Sequence, residues 1–443
     1  MREPGRVAAA IEILDDFEKR RVPIKTAIAD WARHNRYAGA KDRAWISGLC
    51  LDVLRHWSSL AALTTTNTNR ARVLASLASV WGYDYAALAA LADDEHGIDP
   101  ITDDELKRVT SLGTKVKHDL NHLDCPEWAV PILADAFGER LDDEVKALSN
   151  RAPIDLRINT LVGETDKTLR ALKSVKARPH PFSKTAARID APDPAVRAPA
   201  ITVIPAFNKG WVEVQDLGSQ LAAAAVGSIK GNQVLDFCAG GGGKTLALAA
   251  LMAGTGQLYA YDIDPKRLKP LYARAKRARI RNLQIRTPLA ARDDGLETAE
   301  RPLSDLKEKM DVVFVDAPCT GSGVWRRNPD SKWRLKPGQL ERRCDEQEIV
   351  LDQAADFVKP KGFLVYVTCS VFPQENDAQI TQFMAKKPAF SPVDALEQIQ
   401  KTDLLTINGA DVLKKCMTPS GALLMTPARC GTDGFFVSVL KRS

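Results

Sequence analysis

The chain has 443 residues, of which 45% are hydrophobic and 27% charged, and it carries a formal net charge of +6. This length suggests about two or three domains, and the composition is that of a soluble globular protein. No stretch approaches the roughly 18 uninterrupted apolar residues of a membrane span, and the first residues do not resemble a signal peptide. These features exclude a membrane protein and predict a cytoplasmic one.

The positions of cysteine and histidine limit the chemistry further. No two cysteines form a Cys-x-x-Cys pair, so we predict free thiols, no disulfide framework and no metal site. His118 and His122 have the spacing of one helix face, for which a solvated face is the preferred interpretation. No histidine lies beyond His180, so the C-terminal half alone cannot build a histidine-based triad.

Helical periodicity dominates the first part of the chain. An apolar helical face is interrupted at Pro23 and returns after Asp42, a predicted N-cap. The first part of this face consists of Val7, Ile11, Leu14 and Phe17. We predict an all-α domain at residues 1–118.

The pattern of apolar and polar residues changes in the next part of the chain. Asp155–Thr160 alternates like a strand, Asp166–Val175 has the period of a helix, and prolines interrupt the segment after that helix. We predict a small α+β domain at residues 119–205.

Strand and helix signals alternate from residue 206 to the end, which predicts an α/β domain with a doubly wound, mainly parallel sheet. Ligands bind such sheets at the carboxyl ends of the strands. The predicted strands are Val234–Phe237, Leu258–Tyr261, Val312–Val315 and Phe363–Val367, and the predicted helices include Thr245–Met252 and Pro265–Ala278.

A glycine-rich loop joins the first of these strands to its helix and reads Cys238-Ala239-Gly240-Gly241-Gly242-Gly243-Lys244. Glycines let a ligand approach the backbone, and the helix N-terminus favours polar or anionic groups. A Walker P-loop is excluded because Cys238 stands at a required glycine, and the G-x-G-x-x-G spacing is absent. Asp262 ends the second strand, where an acidic residue commonly binds ribose hydroxyls; the alternative is a cap for the helix at Pro265.

Two cysteines stand where predicted strands end. Cys369 follows one strand, and Cys319 follows another, with Asp316 before it. A lone cysteine is more often a small buried apolar side chain. Two cysteines at the ligand-binding edge of the sheet instead favour a catalytic role. A thiolate added to carbon six of cytosine makes carbon five nucleophilic, which is covalent catalysis that divides one difficult step into two.

Two basic clusters favour a polyanionic partner. The first, between Lys266 and Arg286, contains no acidic residue, and both RNA contact and a solvated helix face remain open interpretations. The second contains Trp325 and Trp333 among its cations, which are Arg326, Arg327, Lys332, Arg334 and Lys336. Cations neutralise phosphates and aromatic faces stack on bases, so the second cluster predicts binding of single-stranded nucleic acid.

Three segments resemble, in order, the cofactor-loop, Pro-Cys and Thr-Cys motifs of the RNA cytosine-5 methyltransferases. They are Asp236–Thr245, Asp316-Ala317-Pro318-Cys319 and Thr368-Cys369-Ser370. The segment Gly39–Arg55 further resembles the NusB-like RNA-binding helical module. The whole chain is therefore similar to the bacterial 16S rRNA enzymes of the Sun type.

The resemblance implies a Rossmann-like catalytic domain at residues 206–443, an RRM-like middle domain and S-adenosylmethionine as cofactor. It implies methylation of carbon five of a cytosine in RNA, with 16S rRNA the expected substrate and a monomer the expected state. Cys369 would be the nucleophile, Cys319 would assist release after methyl transfer, and Asp316 would contact the base and the cofactor pocket. The loop from Cys238 to Lys244 would surround the methionine part of the cofactor, and Asp262 would hold its ribose.

The chain departs from the family pattern at two places. Gly240-Gly241 stands where the family usually has Ala-Pro, which predicts a looser turn and weaker cofactor binding. The family also usually has an aspartate after its third strand that contacts the adenine; the equivalent position here is near Pro288-Leu289, with Asp293 and Asp294 slightly later, and we leave that contact unassigned. The alternative functions are a tRNA cytosine-5 methyltransferase, a P-loop ATPase acting on RNA, and a non-catalytic RNA-binding protein with a degenerate cofactor loop.

Overall fold

The structure is a computed structural model that describes residues 1–64, 66–92, 95, 97–107, 109, 123–194, 196, 198–288 and 300–443. The chain divides into two compact units. The first comprises Met1–Arg151, Ala191–Ala198 and Trp325–Leu335, and the second comprises Ala152–Asp190, Pro199–Val324 and Lys336–Ser443. Boundaries at residues 118 and 205 stay a prediction. The predicted positions outside the described residues are His118, His122, Leu289, Asp293 and Asp294.

The first unit is helical, as the periodicity predicts. Pro23 separates its first two helices, and Asp42 is the third residue of α3 rather than its N-cap. The Asp42 carboxylate nevertheless accepts the Gly39 N–H at 3.0 Å, so it still satisfies a free donor at the helix start. The described helices of this unit include α1 Glu3–Arg20, α2 Ile24–His34, α3 Ala40–Arg55, α4 Trp57–Ala62, α5 Asn69–Ser79, α6 Tyr85–Ala89, α7 Val130–Phe137 and α8 Leu141–Ser149.

Part of the second basic cluster is buried in this unit, and for Trp325 and Lys332 the predicted role in nucleic-acid binding is wrong. Lys332 is 1% exposed, and its ammonium donates to the carbonyl oxygens of Arg55 and Asp124 at 2.9 and 2.6 Å. Trp325 is also 1% exposed, and the indole N–H of Trp333 donates to a backbone carbonyl of α3. Burial lowers the pKa of Lys332 to about 8. A buried cation and a buried ring cannot neutralise phosphates or stack on bases, so this segment stabilises the helical unit.

The second unit begins with a small antiparallel sheet. Among the described residues its strands follow the order β2-β3-β1-β4. Their bounds are β1 Ile154–Ile158, β2 Arg178–Pro179, β3 Ala186–Ile189 and β4 Val212–Val214, with α9 at Thr165–Leu172 and α10 at Pro205–Asn208. The predicted strand and helix of this part are therefore present, and the prolines lie in the irregular segments and at the strand and helix ends that they favour.

The main sheet of the second unit has the order β10-β12-β9-β8-β5-β6-β7 in the described part of the chain, with β11 paired to β12. The five strands from β9 to β7 are parallel, and β10, β11 and β12 pair antiparallel. The bounds are β5 Gln233–Asp236, β6 Gln257–Tyr261, β7 Leu283–Arg286, β8 Met310–Asp316, β9 Val358–Thr368, β10 Phe390–Val393, β11 Leu423–Met425 and β12 Phe435–Arg442.

Helices alternate with these strands, which confirms the α/β prediction. They are α11 Leu217–Ala224, α12 Gly243–Leu251, α13 Pro265–Arg277, α14 Glu300–Leu303, α16 Pro337–Ala355, α17 Asp377–Lys386, α18 Ala395–Gln400, α19 Ile407–Lys414 and α20 Pro427–Cys430; α15, Pro329–Arg334, belongs to the first unit. The central strands β5 and β8 are buried along most of their length, and β9 is buried over its last five residues, as parallel strands covered on both faces must be. No helix in the described ranges is long and apolar enough to span a membrane.

Candidate active site

The two thiols predicted at strand ends lie side by side. The Sγ atoms of Cys319 and Cys369 are 3.3 Å apart, and both residues are partly exposed. Strand pairing brings them together, because β8 and β9 are parallel neighbours in which Asp316 pairs with Val367. The hydrogen bond with Cys369, together with burial, raises the pKa of Cys319 well above its ordinary value. Cys319 therefore keeps its proton and can donate it in a hydrogen bond to the neighbouring sulfur.

An ion pair lies beside the thiols. Lys244 at the start of α12 and Asp316 at the end of β8 have 2.8 Å between Nζ and Oδ2. Burial alone would lower the pKa of Lys244, but the Asp316 carboxylate and charge on Cys369 raise it above its ordinary value. The ammonium also lies 5.0 Å from the centre of the Phe435 ring. A permanent positive charge is therefore available to stabilise negative charge that develops in this pocket.

The glycine loop is a closed turn rather than a loose one. Gly240 and Gly242 have φ angles of +49° and +82°, a region that favours glycine. The Gly242 N–H donates to the Ala239 carbonyl at 2.9 Å, and Arg274 of α13 donates to the Gly241 carbonyl at 2.7 Å. Arg274 and Asp262 thus bond to the loop from outside it, while the weaker cofactor binding stays a prediction.

Asp262 is attached to this loop and does not cap the following helix. Its carboxylate accepts the Gly240 N–H at 2.9 Å and the Asp264 N–H at 3.0 Å. The N-cap of α13 is Asp264, whose side chain accepts the Lys266 N–H at 2.9 Å. The alternative interpretation of Asp262 as the cap is therefore wrong, and the residue is part of the loop's own structure.

Asp236 places a buried carboxylate next to the glycine loop. Asp236, the last residue of β5, is fully buried, and its Oδ2 accepts the hydroxyl of Thr245 at 2.6 Å. Among the described residues its Oδ1 has no hydrogen-bond partner. Burial raises the pKa of Asp236 to about 7. This Oδ1 atom, next to the glycine turn, suits a ligand that carries a hydrogen-bond donor, such as an ammonium group.

Known proteins are similar to this chain in sequence and in fold. The family model of the 16S rRNA methyltransferase RsmB/F matches residues 224–441, and that of the RsmF/B-like ferredoxin-like domain matches residues 125–196. A ribosomal RNA small subunit methyltransferase B from Photorhabdus laumondii subsp. laumondii is 30% identical over 370 residues, which are 78% of this chain and 82% of that protein. The chain belongs to the RsmB/F methyltransferase family. The predicted resemblance is thereby confirmed, as is the prediction of a small α+β part.

Two solved structures show the fold shared by this RsmB/F family member. The crystal structure of PH0851 is 24% identical, with a TM-score of 0.69 over 100% of this chain and 99% of that one. The structure of NSun6 from Pyrococcus horikoshii with SFG is 20% identical, with a TM-score of 0.58 over 72% of this chain and 98% of that one. The Rossmann-like prediction is confirmed.

The family assignment makes the protein a methyltransferase with S-adenosylmethionine as its cofactor. The glycine turn and the orphaned Oδ1 of Asp236 fit such a cofactor, which carries a cationic amino group. A P-loop ATPase and a non-catalytic protein are both excluded as alternatives by this family membership.

The sequence patterns did not predict a role for Glu375, a buried carboxylate near the two thiols. Glu375 accepts hydrogen bonds from Thr320, the residue after Cys319, and from Gln347 of α16. The polar run Gln374-Glu375-Asn376, directly after the thiol-bearing strand end, was the available signal. Its partners lie far away in sequence, so only the fold reveals the connection.

The glycine turn leads to a prediction for Gly242. A Cβ atom there would lie 2.3 Å from Cδ1 of Leu271, in a backbone conformation that alanine rarely adopts. We expect the turn of Gly242→Ala to relax in the free protein, so that restoring it on binding weakens S-adenosylmethionine affinity by about 10-fold, since left-handed strain alone costs alanine roughly 1–2 kcal/mol. Calorimetric titration with S-adenosylmethionine measures this effect. Gly241→Ala is the matched control, because its Cβ would meet nothing closer than Arg274 at 3.7 Å; equal losses in both variants would contradict the argument.

Proposed function

We propose that this enzyme methylates carbon five of a cytosine in RNA, with 16S rRNA as substrate, through a covalent cysteine–cytosine adduct. The observation that carries the proposal is the pair of thiols 3.3 Å apart beside the Lys244–Asp316 ion pair. Methylation of an exocyclic nitrogen or a ribose hydroxyl has no use for two adjacent thiols. The name of the relative, which specifies small-subunit ribosomal RNA, supports the choice of substrate.

Cys369 is the proposed nucleophile. Its thiolate adds to carbon six of the cytosine, and the electron pair of the double bond moves to carbon five, which becomes nucleophilic. S-adenosylmethionine supplies the electrophilic methyl group that carbon five accepts. Asp316 lies at the end of β8, and we assign it to the base edge and the rim of the cofactor pocket, with Lys244 paired to its carboxylate.

Cys319 is the proposed base for release. The partner that chiefly raises the pKa of Cys319 is Cys369, and this effect ends when the Cys369 sulfur is bonded to carbon. Cys319 can then lose its proton to solvent and take the proton from carbon five. The electron pair of that C–H bond re-forms the double bond, and the thiolate of Cys369 leaves.

The residues proposed to hold the cofactor follow from the loop geometry. Backbone groups from Cys238 to Lys244 line the turn, and Oδ1 of Asp236 is the free acceptor for a cationic donor. Asp262 is assigned to the ribose, since its Oδ1 accepts the Asp264 N–H and keeps a second acceptor position, whereas Oδ2 accepts the Gly240 N–H and lies 3.4 Å from Arg267. Burial and the nearby Asp262 carboxylate raise the pKa of Cys238, so this thiol does not compete as a nucleophile.

A basic face on α13 is a proposed RNA contact. The inner cations of this helix, Arg274 and Arg277, are paired with Glu213. Arg267 is exposed and lies 3.4 Å from the Asp262 carboxylate. Three lysines of this helix, Lys266, Lys269 and Lys276, are exposed and form no ion pair with any described residue. Tyr272, 55% exposed, lies on the same helix face as the last two of these lysines. Free cations around an exposed ring suit phosphates and an unpaired base.

We expect the triple change Lys266→Gln, Lys269→Gln, Lys276→Gln to weaken RNA binding. Each lost phosphate contact lowers the slope of log affinity against log salt by about 1, so the three together should cost roughly 10-fold or more in affinity. Filter binding of 16S rRNA fragments at several salt concentrations measures both quantities. The control removes the same charge from exposed lysines elsewhere in the unit: Lys230, Lys401 and Lys415. Equal effects of the two triple variants would contradict the assignment of this face.

The proposed function is tested by incubating the purified protein with methyl-labelled S-adenosylmethionine and total RNA from a strain that lacks it. The label should appear at carbon five of one cytosine in small-subunit RNA. Label in transfer RNA instead would support the other substrate left open by the sequence. Label on another atom of the base or on ribose would refute the cytosine-5 chemistry.

A further inference from the structure

Glu375 lies at the centre of a buried hydrogen-bond cluster behind the two thiols. The residue is fully buried and ends the short 3₁₀ helix Pro373–Glu375. Its Oε1 accepts the Thr320 N–H at 2.7 Å and the Gln347 side-chain N–H at 3.0 Å. Its Oε2 accepts the Thr320 hydroxyl at 2.5 Å and the hydroxyl of Ser370. Each oxygen therefore has two donors from the described residues.

The hydrogen bonds of this cluster run in the direction that an ionised carboxylate requires. Because the Ser370 hydroxyl donates to Glu375, it must accept from Ser322, whose oxygen lies 2.9 Å away. The Ser322 oxygen in turn accepts the Val371 N–H at 2.9 Å. No lysine, arginine or histidine among the described residues forms an ion pair with Glu375, so neutral donors alone hold it. Burial raises the pKa of Glu375, and these hydrogen bonds act against that rise.

The carboxylate connects the two thiol-bearing segments. Thr320 follows Cys319, and Ser370 follows Cys369, so Glu375 bridges the residues next to both sulfurs. A second link joins the same segments, because the Gly323 N–H donates to the Cys369 carbonyl at 2.9 Å. The separation of the two sulfurs therefore depends on this cluster as well as on the sheet.

The two thiols do not depend on the cluster equally. Cys369 directly follows β9, whose pairing continues on both sides, with β8 through Val367 and with β12 through Thr368. Cys319 lies beyond the end of β8, in a loop outside the strand ladder. That loop is held chiefly by Thr320 on Glu375 and by the Gln347 side-chain N–H, which donates to the Pro318 carbonyl at 2.8 Å. Loss of the carboxylate would therefore displace Cys319 more than Cys369.

We propose that Glu375 is a positioning residue for the release step, holding Cys319 opposite Cys369 through Thr320. The inference rests on the proposed function, since it concerns the second half of that reaction. Glu375 touches neither reacting atom directly, and it acts through the residue next to the thiol.

The experiment compares Glu375→Ala with Glu375→Gln. A glutamine side chain can accept from the Thr320 N–H with its oxygen, while the hydroxyls of Thr320 and Ser370 rotate to accept from its amide nitrogen. Alanine offers no acceptor to any of the four donors. We expect Glu375→Ala to lower kcat by about 10²-fold with little change in KM for RNA, because a misplacement of about 1 Å costs that much. The covalent adduct should meanwhile rise relative to methylated product, and Glu375→Gln should restore most of the turnover.

Ile399→Ala controls for a loss of stability. Ile399 is fully buried in α18, which contributes no hydrogen bond to Glu375, and its truncation destabilises the unit by a cavity effect. The assay measures adduct by denaturing gel and product by label, at a temperature well below the melting point of every variant. If Glu375→Ala lowers adduct and product by the same factor, or if Ile399→Ala shifts their ratio equally, the positioning role is refuted. A wild-type enzyme that forms no 5-methylcytosine would instead refute the proposed function itself.

Discussion

Replacement of Cys369 by alanine is expected to abolish methyl transfer to RNA while S-adenosylmethionine still binds. The sulfur of Cys369 provides the bond that makes carbon five nucleophilic, and no other step of the proposed reaction can supply that activation. Loss of a covalent nucleophile lowers turnover by about 10⁴-fold or more. The measurement is incorporation of labelled methyl into 16S rRNA, with calorimetric titration of S-adenosylmethionine as the parallel test of folding and cofactor affinity.

Cys344→Ala is the control for this variant. Cys344 is a partly exposed free thiol of α16 that has no assigned part in the reaction. Its loss should leave methyl incorporation close to that of the wild type. If Cys369→Ala still turns over at a comparable rate, Cys369 is not the nucleophile, and the assignment of the two thiols has to be reversed or abandoned.

Replacement of Cys319 by alanine should have a different result, namely accumulation of a covalent protein–RNA complex. Attack by Cys369 and methyl transfer remain possible, but the group that takes the proton from carbon five is missing. A positioned general base contributes about 10²- to 10⁴-fold to a step, so product release should slow by that order. The complex is observed as a band of reduced mobility on a denaturing gel, with labelled methyl in the same band.

The double variant decides whether that band has the proposed origin. Cys319→Ala combined with Cys369→Ala should show no band, because the bond to carbon six can no longer form. A band that persists in the double variant would mean that another nucleophile is attached to the RNA. Absence of a band in Cys319→Ala alone, with methylation intact, would remove Cys319 from the release step.

The Cys319 variant and the Glu375 variants address the same half-reaction, the release step, from different sides. Cys319→Ala removes the proposed base itself, whereas Glu375→Ala leaves the thiol in place and removes its support through Thr320. Glu375→Ala should therefore resemble Cys319→Ala in kind but reach a smaller ratio of adduct to product. If both variants act as proposed, combining them should add little, since residues that act on one step are not additive.

Much of this protein could be derived from the sequence, because the relevant signals are local. The period of the apolar residues predicted the helical first part and the strands β5, β6, β8 and β9 of the second. An apolar run that ends in a polar residue marks a strand end, and parallel strands place such ends on one edge of the sheet. That rule alone predicts that Asp316, Cys319 and Cys369 lie close together.

The second basic cluster shows where local signals fail. Lys332 and Trp333 have the composition of a nucleic-acid-binding surface, yet the carbonyl oxygens that accept from Lys332 lie on Arg55 and Asp124. A cation can be buried only where such acceptors satisfy it. Composition records the charge of a side chain, whereas burial depends on partners that are distant in the chain.

Sequence by itself determined the residue types of the chemistry, their place at strand ends and the family to which the motifs are similar. Only the tertiary structure decided which of these groups touch: the 3.3 Å contact of the two sulfurs, the Lys244–Asp316 ion pair and the four donors around Glu375. The physical reason is that hydrogen bonds and ion pairs act over a few ångströms. Strand order and loop closure, which no local period encodes, set which distant residues come within that range.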